Sequence, residues 1–113
     1  MEYKDNIILR KVLDEIEIAE KIINGSSLTE FEESEVLKRA VCMTVINIGE
    51  LIKNLSFECR KSYPHIPWKS IAGFRDIAAH KYQTLRMGDV YKTATIDFLI
   101  LRHQIKNIIN NET

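Results

Sequence analysis

Apolar residues recur at steps of three and four along nearly the whole chain, and nowhere do they alternate with polar ones as a half-buried strand requires. From about residue 4 to 24, Ile8, Val12, Ile16, Ala19 and Ile23 form one stripe, which Leu9, Leu13 and Ile22 widen. Asn24-Gly25 then supplies a helix stop, because glycine accepts a left-handed backbone at little cost. A second helix is expected over about 30–56, opened by a capping box, Thr29-x-x-Glu32. Glu30, Glu32, Glu33 and Glu35 crowd its start and Lys38 and Arg39 follow, an order that suits the helix dipole and pairs Glu35 with Arg39 one turn on. From Ala40 to Ile48 it is apolar almost all round, which marks it as the central helix.

Tyr63-Pro64-His65-Ile66-Pro67 cannot continue a helix, so a break is expected over 57–67, with Pro67 suited to the first position of the next one. The third segment, about 67–81, turns Trp68, Ile71, Phe74 and Ala78 inward. Residues 83–88 read as a loop, and Asp89 as the cap of a fourth segment, about 89–109. Its stripe is Tyr91, Ala94 or Thr95, Phe98, Leu101, Ile105 and Ile108. The sum is an all-α antiparallel bundle of four to five helices, one domain over 1–113. Gly49 and Gly73 fall inside predicted helices, where each costs ~1 kcal/mol against alanine; a close helix crossing would explain both.

Composition narrows the class. At 113 residues, 45% hydrophobic and 28% charged, with 4 Gly and 2 Pro, the chain is neither disordered nor of low complexity. No run approaches the ~18 apolar residues of a membrane span, and the charged start, Met1-Glu2-Tyr3-Lys4-Asp5, lacks a secretory signal's apolar block. Cys42 and Cys59 have neither metal-ligand spacing nor a disulfide framework. They read as reduced thiols of a cytoplasmic protein, Cys42 in the core and Cys59 exposed or half-exposed. Sixteen basic side chains balance sixteen acidic ones, so no global field attracts a polyanion. The balance is uneven: residues 1–35 hold four basic and ten acidic groups, net −6, while 60–86 set six basic groups against Asp76, net +5. That excess is either ordinary solvated charge or a phosphate-facing surface.

The chemistry concentrates in Arg75-Asp76-Ile77-Ala78-Ala79-His80-Lys81-Tyr82. On a helix Arg75 and Tyr82 share a meridian, and Asp76 and His80 are one turn apart. The segment offers a permanent cation whose fork matches a phosphate, an imidazole able to take and give a proton near neutral pH, a carboxylate able to orient that imidazole, and a phenol. Arg with His suffices for cleaving an RNA phosphodiester without metal: the ring activates the 2′-hydroxyl or protonates the leaving oxygen, and the guanidinium stabilises charge on the phosphoryl oxygens. By spacing alone a structural salt bridge of Asp76 with His80 or Lys81 accounts for the same residues. Tyr82 also reads as an aromatic packing on the last segment, Trp68 as core or a base-stacking platform, His65 as a loop residue, and His103 as a surface one. Glu50 reads either as the partner of a basic group or as a solvated carboxylate.

Arg75-x4-His80-x-Tyr82 resembles the Arg-x4-His-x-Tyr motif of the HEPN superfamily, in its HepT-like branch. Ile48-Gly49-Glu50, Ile66-Pro67-Trp68 and Asp89-Val90-Tyr91 resemble further segments of that branch in the same order, over nearly the whole chain and least before residue 36. The resemblance implies a metal-independent endoribonuclease toxin of a type VII-like toxin–antitoxin pair, without cofactor, acting on RNA as a homodimer whose motif helices face each other. It implies catalytic roles for Arg75 and His80, a supporting one for Asp76, and modification of Tyr82 with AMP by a minimal nucleotidyltransferase (MNT) antitoxin. The alternative is a HEPN module that binds a nucleotide or a partner and does not cut RNA.

Overall fold

The computed structural model describes residues 1–112; Thr113, the last residue of the expected domain, lies outside them. Among the described residues every regular element is helical, so the all-α reading holds.

Helix α1, Tyr3–Ile23, buries the expected stripe, with Leu9, Val12, Ile16 and Ala19 fully enclosed. It ends where the sequence indicates. Asn24 takes a left-handed backbone at φ 40°, Gly25 follows at φ 79°, and the Asn24 amide donates to the Glu20 carbonyl at 2.8 Å.

The expected long second helix is two helices. A capping box does form, but two residues early. Ser27 Oγ accepts from the Glu30 amide at 3.1 Å, and Glu30 accepts from the Ser27 amide at 2.9 Å, opening α2, Leu28–Glu33. Phe31 drops into the core, and Ser34 breaks the run by capping the next helix through the Leu37 amide at 3.1 Å. Helix α3, Glu35–Lys53, packs against both α1 and the later α5, which confirms it as the central element, although Met43 on it remains exposed.

The break is shorter than its prolines suggest. Helix α4, Phe57–Ser62, occupies its first half, capped by Ser56 Oγ on the Cys59 amide at 3.1 Å. Ser56 is itself held by Asp5, a carboxylate only 1% exposed, which accepts from the Ser56 amide at 2.8 Å and its hydroxyl at 2.6 Å. This packing also encloses Cys59, so both cysteines are buried and free, and burial pushes each thiol up to about 11.

Pro67 is the residue before the first helical turn rather than in it, and α5 runs Trp68–His80. The Trp68 indole donates to the Tyr63 carbonyl at 3.1 Å and closes the proline turn, its ring in the core. His65 lies exposed in that turn. A 3₁₀ turn, Tyr82–Thr84, follows and overlaps the start of the expected loop. The last helix starts earlier than predicted. Helix α6 is Met87–Lys92, and Asp89 lies in its first turn instead of at the cap. A π-helical turn, Thr93–Asp97, joins it to α7, Phe98–Glu112. Val90, Ala94 and Phe98 are all buried at successive steps of four. Such steps overshoot a turn of about 3.6 residues, and the wider π turn takes up the surplus. Thr93 and Thr95 hydroxyls donate back to the Asp89 and Tyr91 carbonyls at 2.8 and 2.7 Å.

Four long helical stretches, α1, α3, α5 and α6–α7, thus surround one core, with α2 and α4 as short additions. Among the described residues, no helix is long and apolar enough to cross a membrane. The tight crossing expected at the two glycines exists at Gly49 alone; nothing lies within 4 Å of a Cβ placed on Gly73.

Candidate functional site: the α3–α5 charge cluster

Helix α5 carries the sequence motif, and its contact with α3 determines what each motif residue meets. Gly49 lets the Arg75 stem lie directly on the α3 backbone, leaving the arginine half-buried with Nε enclosed and without a hydrogen-bond partner. Its terminal nitrogens reach two carboxylates: Nη2 sits 3.0 Å from Glu50 of α3, and Nη1 sits 3.2 Å from Asp76 Oδ1. Glu50 is therefore both solvated, at 54% exposure, and paired.

Asp76 does not meet His80 or Lys81. Its carboxylate turns to α3, where Lys53 Nζ donates to Oδ1 at 2.6 Å, and it also accepts from its neighbour Arg75. Lys53 first, then Arg75, holds the Asp76 carboxyl below its ordinary range. The salt bridge open from spacing does not form; Asp76 pairs instead with Lys53 across the helices and with its neighbour Arg75. Lys53 escaped the sequence reading because its partner is 23 residues away; the available signal was that Glu50 and Lys53, three apart, share a face of α3.

His80 ends α5 exposed to solvent, its ring without a hydrogen-bond partner among the described residues. Arg75 and His80 thus lie on one helix open to solvent, the first anchored and the second free. The apolar groove of about 310 Å³ between α5 and α7, lined by Pro67, Ile71, Phe74, Phe98 and Leu101, includes neither.

Tyr82 belongs to a second cluster. Its hydroxyl donates to Glu35 Oε1 at 3.1 Å, and the Arg39 guanidinium lies 4.9 Å from its ring centroid. Glu35 also pairs with Arg39 at 2.9 Å, as expected, and with Lys38 at 3.1 Å. Burial, then the bond to Glu35, raises the phenol's pKa. Tyr82 thus packs against the start of α3 rather than on the last helix. His103 is a surface residue whose ring faces Asn107 at 3.4 Å. Among the described residues, no group of three or more His, Cys, Asp or Glu is placed to hold a metal ion.

The all-helical bundle, with Arg75 and His80 both on helix α5, is consistent with the HEPN superfamily. The sequence model of the ribonuclease HepT-like family matches residues 12–108, and the chain belongs to that family. It is 34% identical over 104 residues to a protein of Caldanaerobacter subterraneus subsp. tengcongensis named Putative RNase, covering 92% of this chain and 93% of that one. It is 36% identical over 103 residues to a Methanocaldococcus jannaschii protein named Gamma-glutamylcyclotransferase and putative RNase. The match covers 91% of this chain but spans only 46% of that longer relative. A Thermococcus cleftensis protein named Probable ribonuclease HepT is 25% identical over 100 residues, covering 88% of this chain and 91% of its own. No solved structure matches the chain significantly.

Proposed function

We propose that the chain is a metal-independent endoribonuclease toxin that works as a homodimer and is neutralised by a nucleotidyltransferase antitoxin. The observation that carries this reading is the ribonuclease-family match running through the helix that holds the half-buried Arg75 and the exposed His80. His80 moves the proton, at the attacking 2′-hydroxyl or the leaving oxygen. Arg75, oriented by Glu50 and, until RNA binds, by Asp76, stabilises charge on the phosphoryl oxygens. A second copy completes the cleft: Gly73 and Ile77 lie exposed on α5, and a two-fold contact there brings two motif helices together. Tyr82 is the residue the antitoxin modifies with AMP, and the added negative charge repels RNA from the cleft.

The test is cleavage of RNA by the purified chain in EDTA, beside growth arrest on induction. Wild type should cut, and His80→Ala and Arg75→Ala should not while remaining helical and dimeric. Full cleavage by a folded His80→Ala variant overturns the mechanism, and a strict divalent-metal requirement overturns metal independence. A folded dimer that binds nucleotide or a partner without cutting indicates the non-catalytic module instead.

A further inference from the structure

Lys53 and Arg75 come from different helices and donate to the same oxygen, Asp76 Oδ1. At 2.6 and 3.2 Å from it, the two nitrogens are no more than 5.8 Å apart. Two cations that close repel unless an anion stands between them. The anion here is a carboxylate 48% exposed, and the Lys53 side chain is 39% exposed, so the bridge opens to solvent. With Glu50 on the other side of Arg75, the quartet is electrically neutral: two cations, two carboxylates. The arrangement lets the anion be exchanged.

We propose that Lys53 is a second phosphate-contacting cation of the Arg75 site, and that Asp76 holds the place of an RNA phosphodiester between them while no RNA is bound. The inference rests on the ribonuclease reading. A phosphodiester carries one negative charge on two unbridged oxygens, so it accepts from both cations as the carboxylate does. Arg75 belongs to the stretch 60–86 that carries the chain's basic excess. Lys53 extends it onto α3, giving the RNA backbone a grip on both helices. A salt bridge serving only to tie α3 to α5 would leave RNA affinity and its salt dependence untouched.

The experiment uses a random-sequence single-stranded oligoribonucleotide with 2′-O-methyl groups, which cannot be cut, titrated with the full chain over a range of KCl. Lys53→Ala should bind about tenfold more weakly. Its plot of log affinity against log salt should flatten by about 0.7, the loss of one phosphate contact to a single strand. Lys53→Arg should restore both, and Asp76→Asn, which removes the competing charge, should bind more tightly than wild type. Melting curves confirm that each variant is folded. A folded Lys53→Ala with wild-type affinity, or with weaker binding and an unchanged salt slope, overturns the proposal. A wild-type chain that neither binds nor cuts RNA overturns the ribonuclease reading itself, and this inference with it.

Discussion

A Cβ built on Gly49 would lie 2.1 Å from the Cβ of Arg75, closer than two carbon atoms can stand without a bond. The obstruction is the root of the arginine side chain, fixed by the α5 backbone, so it cannot swing aside. Gly49 thus determines both how near α3 and α5 approach and where the guanidinium projects. Gly49→Ala should destabilise the fold by about 1–3 kcal/mol despite alanine's better helix propensity. Urea unfolding measures the loss; a variant as stable as wild type would show that the helices do not approach this closely.

Asp5 holds the Ser56 turn from 51 residues away and is the only charged side chain in the buried set of the described residues. Asp5→Ala removes two charge-assisted hydrogen bonds and leaves the Ser56 donors unmet, at a cost of about 2–4 kcal/mol. Ser56→Ala, which keeps the amide bond, should cost less. Denaturant midpoints of the two variants check the order.

Asp76 predicts a pH dependence. Lys53 and Arg75 depress its folded pKa, so its ion pairs contribute fully above the unfolded value, and that contribution is lost as pH falls through the folded one. The stability gap between wild type and Asp76→Asn should be constant near neutrality and close in the acid range below the ordinary aspartate pKa. Because the group is exposed, added salt should narrow it as well. Unfolding curves recorded from neutral to acid pH, at low and high KCl, would reveal a gap that widens in acid if the sign is wrong.

The Tyr82 side chain makes one hydrogen bond, to Glu35 at the surface. Tyr82→Phe should therefore fold normally and keep cleaving RNA, while taking up no AMP when co-expressed with the antitoxin. Mass spectrometry of the pair reads the adduct, and AMP on the phenylalanine variant would place the modification elsewhere. An adduct on Tyr82 would crowd the Glu35 carboxylate 3.1 Å away and face Lys38 and Arg39, which now pair with Glu35.

The α1 stripe and much of the core were legible because helical periodicity is a local property, written at steps of three and four, although Ile71, Phe74 and Tyr91 are only half-buried and Cys59 is enclosed. Boundaries were less so. Ser27-x-x-Glu30 and Thr29-x-x-Glu32 both satisfy the capping pattern, and burial of Phe31 with capping by Ser34 selects the first. Helix α4 was hidden because six residues show no periodicity, and what fixes its start is Asp5, far away in the chain. The Asp76 contact was not legible for the same reason: spacing names only neighbours on one helix, and Lys53 is on another.

By itself, the chain's order of residues determined that helices form, which faces they bury, and which segment carries a fixed cation beside a proton carrier. Those follow from short-range sterics and from the removal of apolar surface from water. Only the folded molecule decided which side chains face one another across helices: Arg75 between Glu50 and Asp76, Lys53 beside it, Tyr82 against Glu35, and His80 alone in solvent. The hydrogen bonds within an ion pair are directional and short, and the partners are set by how closely two helices cross, which here depends on one missing methyl group at Gly49.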